Sequence, residues 1–506
     1  MLYPQENEFR EIKNLSGWWK FKLDKKQEGL NELWYLSSLE DSILIPVPSN
    51  YKDFLIDRIK DYVGDVWYER EIFLPEGWKS KRIFLRFNGS LYETEVWLNG
   101  IIVGKHTDGF YPFELDITDF VFYRRANRLT LRINNEFKFF YNLQNQNDFN
   151  IFYNCAGLYR DVLLYAVPLE NHIKNLTVKT DVVDGKGMIQ YVCETFLPCE
   201  KFEIRLFNKE QDLILTGHHA EGAFVVPQPY LWSFENPYLY TLQFNLLNNE
   251  NNIFDRYRLP VGIKSIKILE NEIYLNGKKI YLNGLDIREN KNIRYSKTND
   301  NTALAEFFDY VKSNCVNSVI ISLFLCSEEF LNLADEKGLF VIERFPELNS
   351  TLTQVLIYYK EILEIILKKD INHPSLIMWQ SPSFFEDIKK IDPLRPAICY
   401  INSLEKLNSV QVQLPLSVNL KVNLSDVKET DVFFKKFQEH FNINNQKIVF
   451  IIFDFVLLWN ELTEDEKIIM LKKFQESFKD LQLFSGKFIS CYLNFNSFNN
   501  ENPGIS

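Results

Sequence analysis

The stretch Ser318-Val-Ile-Ile-Ser-Leu-Phe-Leu-Cys-Ser-Glu-Glu-Phe-Leu-Asn-Leu-Ala-Asp-Glu-Lys-Gly-Leu-Phe-Val-Ile342 reads as strand, helix, strand. Its ends, Ser318–Leu325 and Leu339–Ile342, are short apolar runs, and Ser327–Lys337 between them has a helical pattern. Runs apolar on every residue fit strands buried on both faces, as in a parallel sheet covered by helices. The pattern continues outward. Thr302–Ser313 and Gln354–Lys369 are further helical segments, and Leu376–Trp379 and Ile448–Phe453 are further apolar strands. Such alternation predicts βα units around a parallel sheet. The segment 269–506 is just short of the ~250 residues typical of a (β/α)8 barrel.

Upstream the texture is different. In residues 1–170, runs such as Arg82-Ile-Phe-Leu-Arg-Phe, Glu95-Val-Trp-Leu and Arg128-Leu-Thr-Leu-Arg-Ile alternate apolar and polar residues. Turn pairs such as Asn99-Gly100 and Asp108-Gly109 separate the runs, as in an antiparallel sandwich. Residues 171–268 form a second β-rich stretch, the size of a small immunoglobulin-like sandwich. Sandwich, sandwich, barrel is the predicted architecture.

Composition narrows the function. The 506 residues are 46% hydrophobic and 15% aromatic, with 43 Phe, 25 Tyr and 9 Trp, so the chain can bury large cores and general disorder is excluded. A net charge of −11 argues against nucleic acid or an anionic membrane as partner. The longest apolar runs, Val319–Cys326 and Ile448–Trp459, are too short to span a bilayer. No Cys/His group has metal-ligand spacing, so neither metal nor cofactor is expected. Cys193 and Cys199 could form one local bridge. The opening MLYPQENEFREIKNL lacks the apolar run of a signal peptide, an expectation of either a cytosolic protein or a trimmed lysosomal or secreted chain.

Seven strings are too specific for composition to explain. They are Gly64-Asp-Val-Trp-Tyr-Glu-Arg-Glu, Val96-Trp-Leu-Asn-Gly100, Gly109-Phe-Tyr-Pro-Phe-Glu-Leu-Asp116, Asn154-Cys-Ala-Gly-Leu-Tyr-Arg160, Leu259-Pro-Val-Gly-Ile263, Tyr274-Leu-Asn-Gly-Lys278 and Asp370-Ile-Asn-His-Pro-Ser-Leu-Ile-Met-Trp379. Together they resemble glycoside hydrolase family 2, most closely its animal-type β-glucuronidases. The resemblance implies a jelly-roll sugar-binding domain, an immunoglobulin-like domain and a TIM barrel. It also implies retaining hydrolysis by two carboxyl groups about 5–5.5 Å apart.

Set against that pattern, the chemistry has lost its parts. The family's acid/base Glu follows the Met-Trp strand end in Asn-Glu-Pro, where this chain has Gln380-Ser-Pro-Ser-Phe384-Phe385. Ungapped, Phe384 takes that position. The nucleophile strand reads Gln446-Lys-Ile-Val-Phe-Ile-Ile-Phe453-Asp454, with Phe453 at the nucleophile position. Other pocket positions have drifted to Ile151, to Arg288-Glu289-Asn290, to Ile320 and Leu323, and to Glu343-Arg344. The sequence stops at Ser506, before the family's uronate-binding Asn-x-Lys element, so the resemblance predicts a barrel shortened at its end.

Substitute carboxylates are Glu386, Asp387 and Asp454. Asp454 lies one residue past Phe453, so strand alternation requires a bulge to bring it into the pocket. Glu386 and Asp387 read as the acidic first turn of a shortened helix. His373 reads as a framework histidine, and Asn154 and Arg160 as contacts between sandwich and barrel. Three functions follow as expectations. One is an inactive homologue that binds a carbohydrate or glycoconjugate, or pairs with itself or an active homologue. Another is a glycosidase with relocated carboxylates. The third is a carbohydrate-binding protein using its first sandwich.

Overall fold

The computed structural model describes residues 1–55, 62–107, 109, 111–136, 156–269, 272–288, 301–314, 316–322, 326–345, 353–381, 384–401, 416–421, 448–454 and 486–492. The first unit is a sandwich of two antiparallel sheets. One has the order Glu11–Asn14, Val162–Pro168, Lys81–Phe87, Phe113–Asp116. The other runs Ile43–Val47, Gly17–Asp24, Asp65–Ile72, Asn127–Asn134, Glu93–Leu98, Ile101–Thr107. The alternating residues read from the sequence supply its core: Ile83, Leu85 and Phe87 from one sheet meet Leu129, Leu131 and Ile133 from the other. Trp67 and Trp97 stack at 5.5 Å in a separate buried cluster of the same sandwich.

The second sandwich faces a three-stranded sheet (Ile173–Val183, Lys186–Thr195, Glu221–Val226) against a four-stranded one. The latter is ordered Leu213–Gly217, Phe202–Phe207, Tyr240–Leu247, Ile253–Val261. Cys193 and Cys199 are free thiols here, so the expected local bridge does not form. Cys193 is a buried member of the apolar core, where its surroundings push the thiol far up and keep it a small hydrophobe.

A small sheet of Ile266–Leu269, Glu272–Leu275 and Lys278–Ile280 leads into a closed barrel of eight parallel strands. In order they are Leu282–Arg288, Ser318–Ser322, Phe340–Arg344, Leu376–Gln380, Ala397–Ile401, Leu416–Lys421, Ile448–Asp454 and Gly486–Tyr492. The eighth pairs with the first from Leu282↔Gly486 to Arg288↔Tyr492, so the ring closes. The expected shortening concerns residues past 492, outside those described.

The apolar runs behave as two-faced strands. Ile320, Phe340, Ile342, Met378, Ile398, Ile452 and Phe488 fill the barrel interior, with Ile266, Ile273 and Leu275 of the small sheet below them. Val319, Ile321, Val341 and Trp379 face the helices. Gly284 is required: a Cβ there would lie 2.2 Å from the Phe488 ring. The helix Glu328–Lys337 begins where Ser327 accepts from the Phe330 N–H at 3.2 Å. It ends at Gly338 (φ 81°), whose N–H donates to the Ala334 carbonyl. Helices Asn301–Ser313 and Thr353–Asp370 lie within a residue of their predicted bounds.

Candidate functional site

In a barrel of this kind the strand carboxyl ends form the site. Four of the named positions, Ile151, Glu289, Asn290 and Leu323, lie outside the described residues, as does Asn154. Arg288, Phe453 and Asp454 are placed by their strands alone.

At the fourth strand, Met378 and Gln380 follow one another on the lumen side, while Trp379 turns outward and its indole N–H donates to Asp392 Oδ2 at 2.9 Å. Beyond it, Phe384 adopts φ 66° and sits at the N-cap of the helix Phe385–Ile391 with no side-chain cap bond. Its half-buried ring stacks on Tyr359, centroids 5.4 Å apart, and the Lys360 ammonium lies 5.8 Å over it. Glu386 and Asp387 occupy the first turn of that helix. Glu386 is exposed, and Asp387 pairs with Lys360 at 3.1 Å and Lys390 at 3.7 Å. The structure does not bring either toward the barrel lumen.

The third strand carries a cluster that sequence reading missed. Arg344 pairs with Asp286 of the first strand at 2.8 Å and donates from Nε to Gln380 Oε1 at 2.6 Å. Its guanidinium lies 4.6 Å over the Tyr400 ring. Asp286 is fully buried, so an ion pair and an amide hold the mouth end of the lumen across three strands. Period two was the available signal: Asp286 shares a strand face with Gly284, whose neighbour is the interior ring of Phe488. Ile320 is buried in the interior below this cluster.

Glu343, one residue earlier, has the opposite parity. Burial, and then the charge of Asp370 beside it, push its carboxyl well above the usual range. Cys326 is likewise unsuited to nucleophilic work, because burial first and Glu343 second hold its thiol protonated.

The seventh strand carries a register shift against the sixth. Its register passes from Leu416↔Ile448 to Ser417↔Phe450, so one extra residue, Val449, sits in the strand. Beyond it, Ile452 pairs with Phe488, and both belong to the interior cluster. Arg160 reaches the barrel, donating to the Cys326 carbonyl at 3.4 Å.

Two sandwiches leading into a closed parallel barrel, with candidate positions at the strand carboxyl ends, define a glycoside-hydrolase-type architecture. Comparison with known proteins makes the class specific. Residues 12–168 match Glycosyl hydrolases family 2, sugar binding domain; 167–264 match Glycosyl hydrolases family 2; and 266–449 match Glycosyl hydrolases family 2, TIM barrel domain. A beta-glucuronidase of Paenibacillus borealis is 31% identical over 442 residues, covering 78% of this chain and 74% of its own. The Homo sapiens beta-glucuronidase is 31% identical over 461 residues, covering 80% and 70%. The solved beta-D-glucuronidase of Dictyoglomus thermophilum superposes with a TM-score of 0.80 at 26% identity, over 98% of this chain and 93% of that one. The chain belongs to glycosyl hydrolase family 2 and is β-glucuronidase-like.

Proposed function

We propose that this family member does not hydrolyse glycosides and acts by binding a carbohydrate or glycoconjugate, or as a non-catalytic subunit beside an active homologue. The observation that carries this is Phe384. Where a general acid must stand next to the fourth strand, an aromatic ring packs on Tyr359, and no proton can be passed from it. The neighbouring acids support the same reading, since Asp387 is engaged by two lysines and Glu386 lies in solvent.

A second reading is favoured by the seventh-strand irregularity. Counting alternation from Ile452 gives position 454, rather than 453, the interior parity. One carboxylate without a partner acid supports slow chemistry at most, because protonation of the leaving oxygen is missing.

The test is turnover of aryl β-glucuronides and β-galactosides by the full chain. No hydrolysis above the buffer rate is expected, and none from Phe384→Glu alone. Turnover by the unaltered chain that disappears in Asp454→Asn would sink the first reading and establish the second.

A further inference from the structure

Between the second sandwich and the floor of the barrel lies a cavity of about 220 Å³. Its walls come from the strand Ile173–Val183, from the segment 261–267 that leads into the barrel, and from the turn 392–395 after the helix Phe385–Ile391. Sugar chemistry in this fold belongs to the opposite end of the barrel, so the cavity is no part of that site. Its lining carries Lys179, Lys264, Lys267 and Arg395 against Asp181 and Asp392. That excess of positive charge sits in a chain whose net charge is −11.

The hydrogen-bond partners show where the excess lies. Asp392 Oδ2 takes Arg395 Nη1 at 2.6 Å and the Trp379 indole N–H at 2.9 Å, and Arg395 gives its Nε and Nη2 to backbone carbonyls. That pair is closed. The three lysines, by contrast, have no carboxylate within pairing distance among the described residues. Lys179 donates to the Ile391 carbonyl at 3.0 Å, and Lys267 is exposed on its strand. An ammonium has three donors, so most of theirs remain unused.

Lys264 differs. It is buried, its Nζ donates to the carbonyls of Pro374 and Leu376, and it lies 5.5 Å over the Trp232 ring. Its hydrogen bonds are complete, but its charge is not balanced. Burial, and then the Arg395 charge, push the ammonium well below its usual range, as expected of a buried cation short of counter-charge. An anion in the cavity would supply that counter-charge and take up the free donors. The planar Arg395 fork is already engaged, so recognition falls to ammonium groups on different elements. Point charges arriving from several sides suit a tetrahedral oxyanion, whose oxygens diverge, better than a flat carboxylate.

We infer that this cavity binds one small oxyanion of the phosphate class, with Lys179 and Lys267 as its contacts and Lys264 as buried charge behind them. Asp181 accepts from the Val182 N–H at 2.8 Å and has no cation partner among the described residues. It repels the anion and holds the affinity down. A bound anion joins the second sandwich to the segment entering the barrel, a role independent of glycoside chemistry.

The experiment is calorimetric titration of the full chain with inorganic phosphate, at constant ionic strength with chloride as the balancing anion. One equivalent should bind, and sulfate should compete where acetate does not. The double variant Lys179→Gln/Lys267→Gln should weaken binding about tenfold. Asp181→Asn should tighten it about threefold. A gain of affinity cannot come from misfolding, so Asp181→Asn keeps the test decisive should the double variant fail to fold. Absence of saturable heat, competition by acetate as strong as by sulfate, or unchanged affinity in Asp181→Asn would overturn the inference.

Discussion

The two ends of the barrel are held by different kinds of contact. At the floor, charged side chains are spent on backbone carbonyls. Arg395 donates to the carbonyls of Ile371, His373 and Leu376 and pairs with Asp392, while buried Lys264 donates to Pro374 and Leu376. Burial, then the nearby Arg395 charge, push the Lys264 ammonium well below its usual range. This end lies in the Asn-His-Pro string that marks the family. At the mouth, the Phe384 ring packs on Tyr359 and an Arg344–Asp286 pair crosses the lumen. Several backbone carbonyls depend on each charged side chain at the floor, whereas the mouth pair is tied to side chains.

That contrast makes quantitative demands. Arg395→Met should destabilise the fold by about 3–5 kcal/mol, because it strips several buried carbonyls and leaves Asp392 without its cation. Arg344→Met should cost less, about 1–3 kcal/mol, and the double variant Asp286→Leu/Arg344→Met should recover most of it. Chemical denaturation of the three proteins decides the order. If the mouth variant proves the more damaging, the contrast between the ends fails.

A pH scan gives a smaller effect and a reference outside both ends. His172 lies between the two sandwiches, stacked on Phe196 at 5.2 Å, with its Nδ1 unbonded among the described residues. Burial first, and then Arg10, lower its pKa from 6.5 to about 4. A depressed histidine is held neutral by the fold, so its stabilisation is complete above pH 6.5 and is lost as pH falls toward 4. The loss amounts to about 3 kcal/mol over that window. His172→Phe should flatten this slope in denaturation curves at successive pH values; an unchanged slope would show that other groups carry it.

The smallest change is expected at Phe384→Asn. Loss of the Tyr359 stack, about 1 kcal/mol, is offset by better tolerance of the left-handed backbone at φ 66°. A net shift within about 1 kcal/mol would identify the ring as filler at the mouth. A much larger loss would make it a core residue.

Most of the fold was legible because burial on both faces writes itself as unbroken apolar runs. Ser318–Ser322 and Leu376–Gln380 were found on that signal, and the Ser327 to Lys337 helix on its period. The Asp286–Arg344 pair was not legible, since it joins the first and third strands, which are separated by the second and meet only through their side chains in the lumen. The Asp335–His373 bond joins residues 38 apart and was likewise out of reach of local pattern. The extra residue of the seventh strand was not legible either, since it leaves no compositional mark.

Val449 therefore works like a frameshift within a single strand. It adds one residue against the sixth strand while the ring of hydrogen bonds stays closed. In a barrel, homologous position is set by the stagger of neighbouring strands as much as by order along the chain.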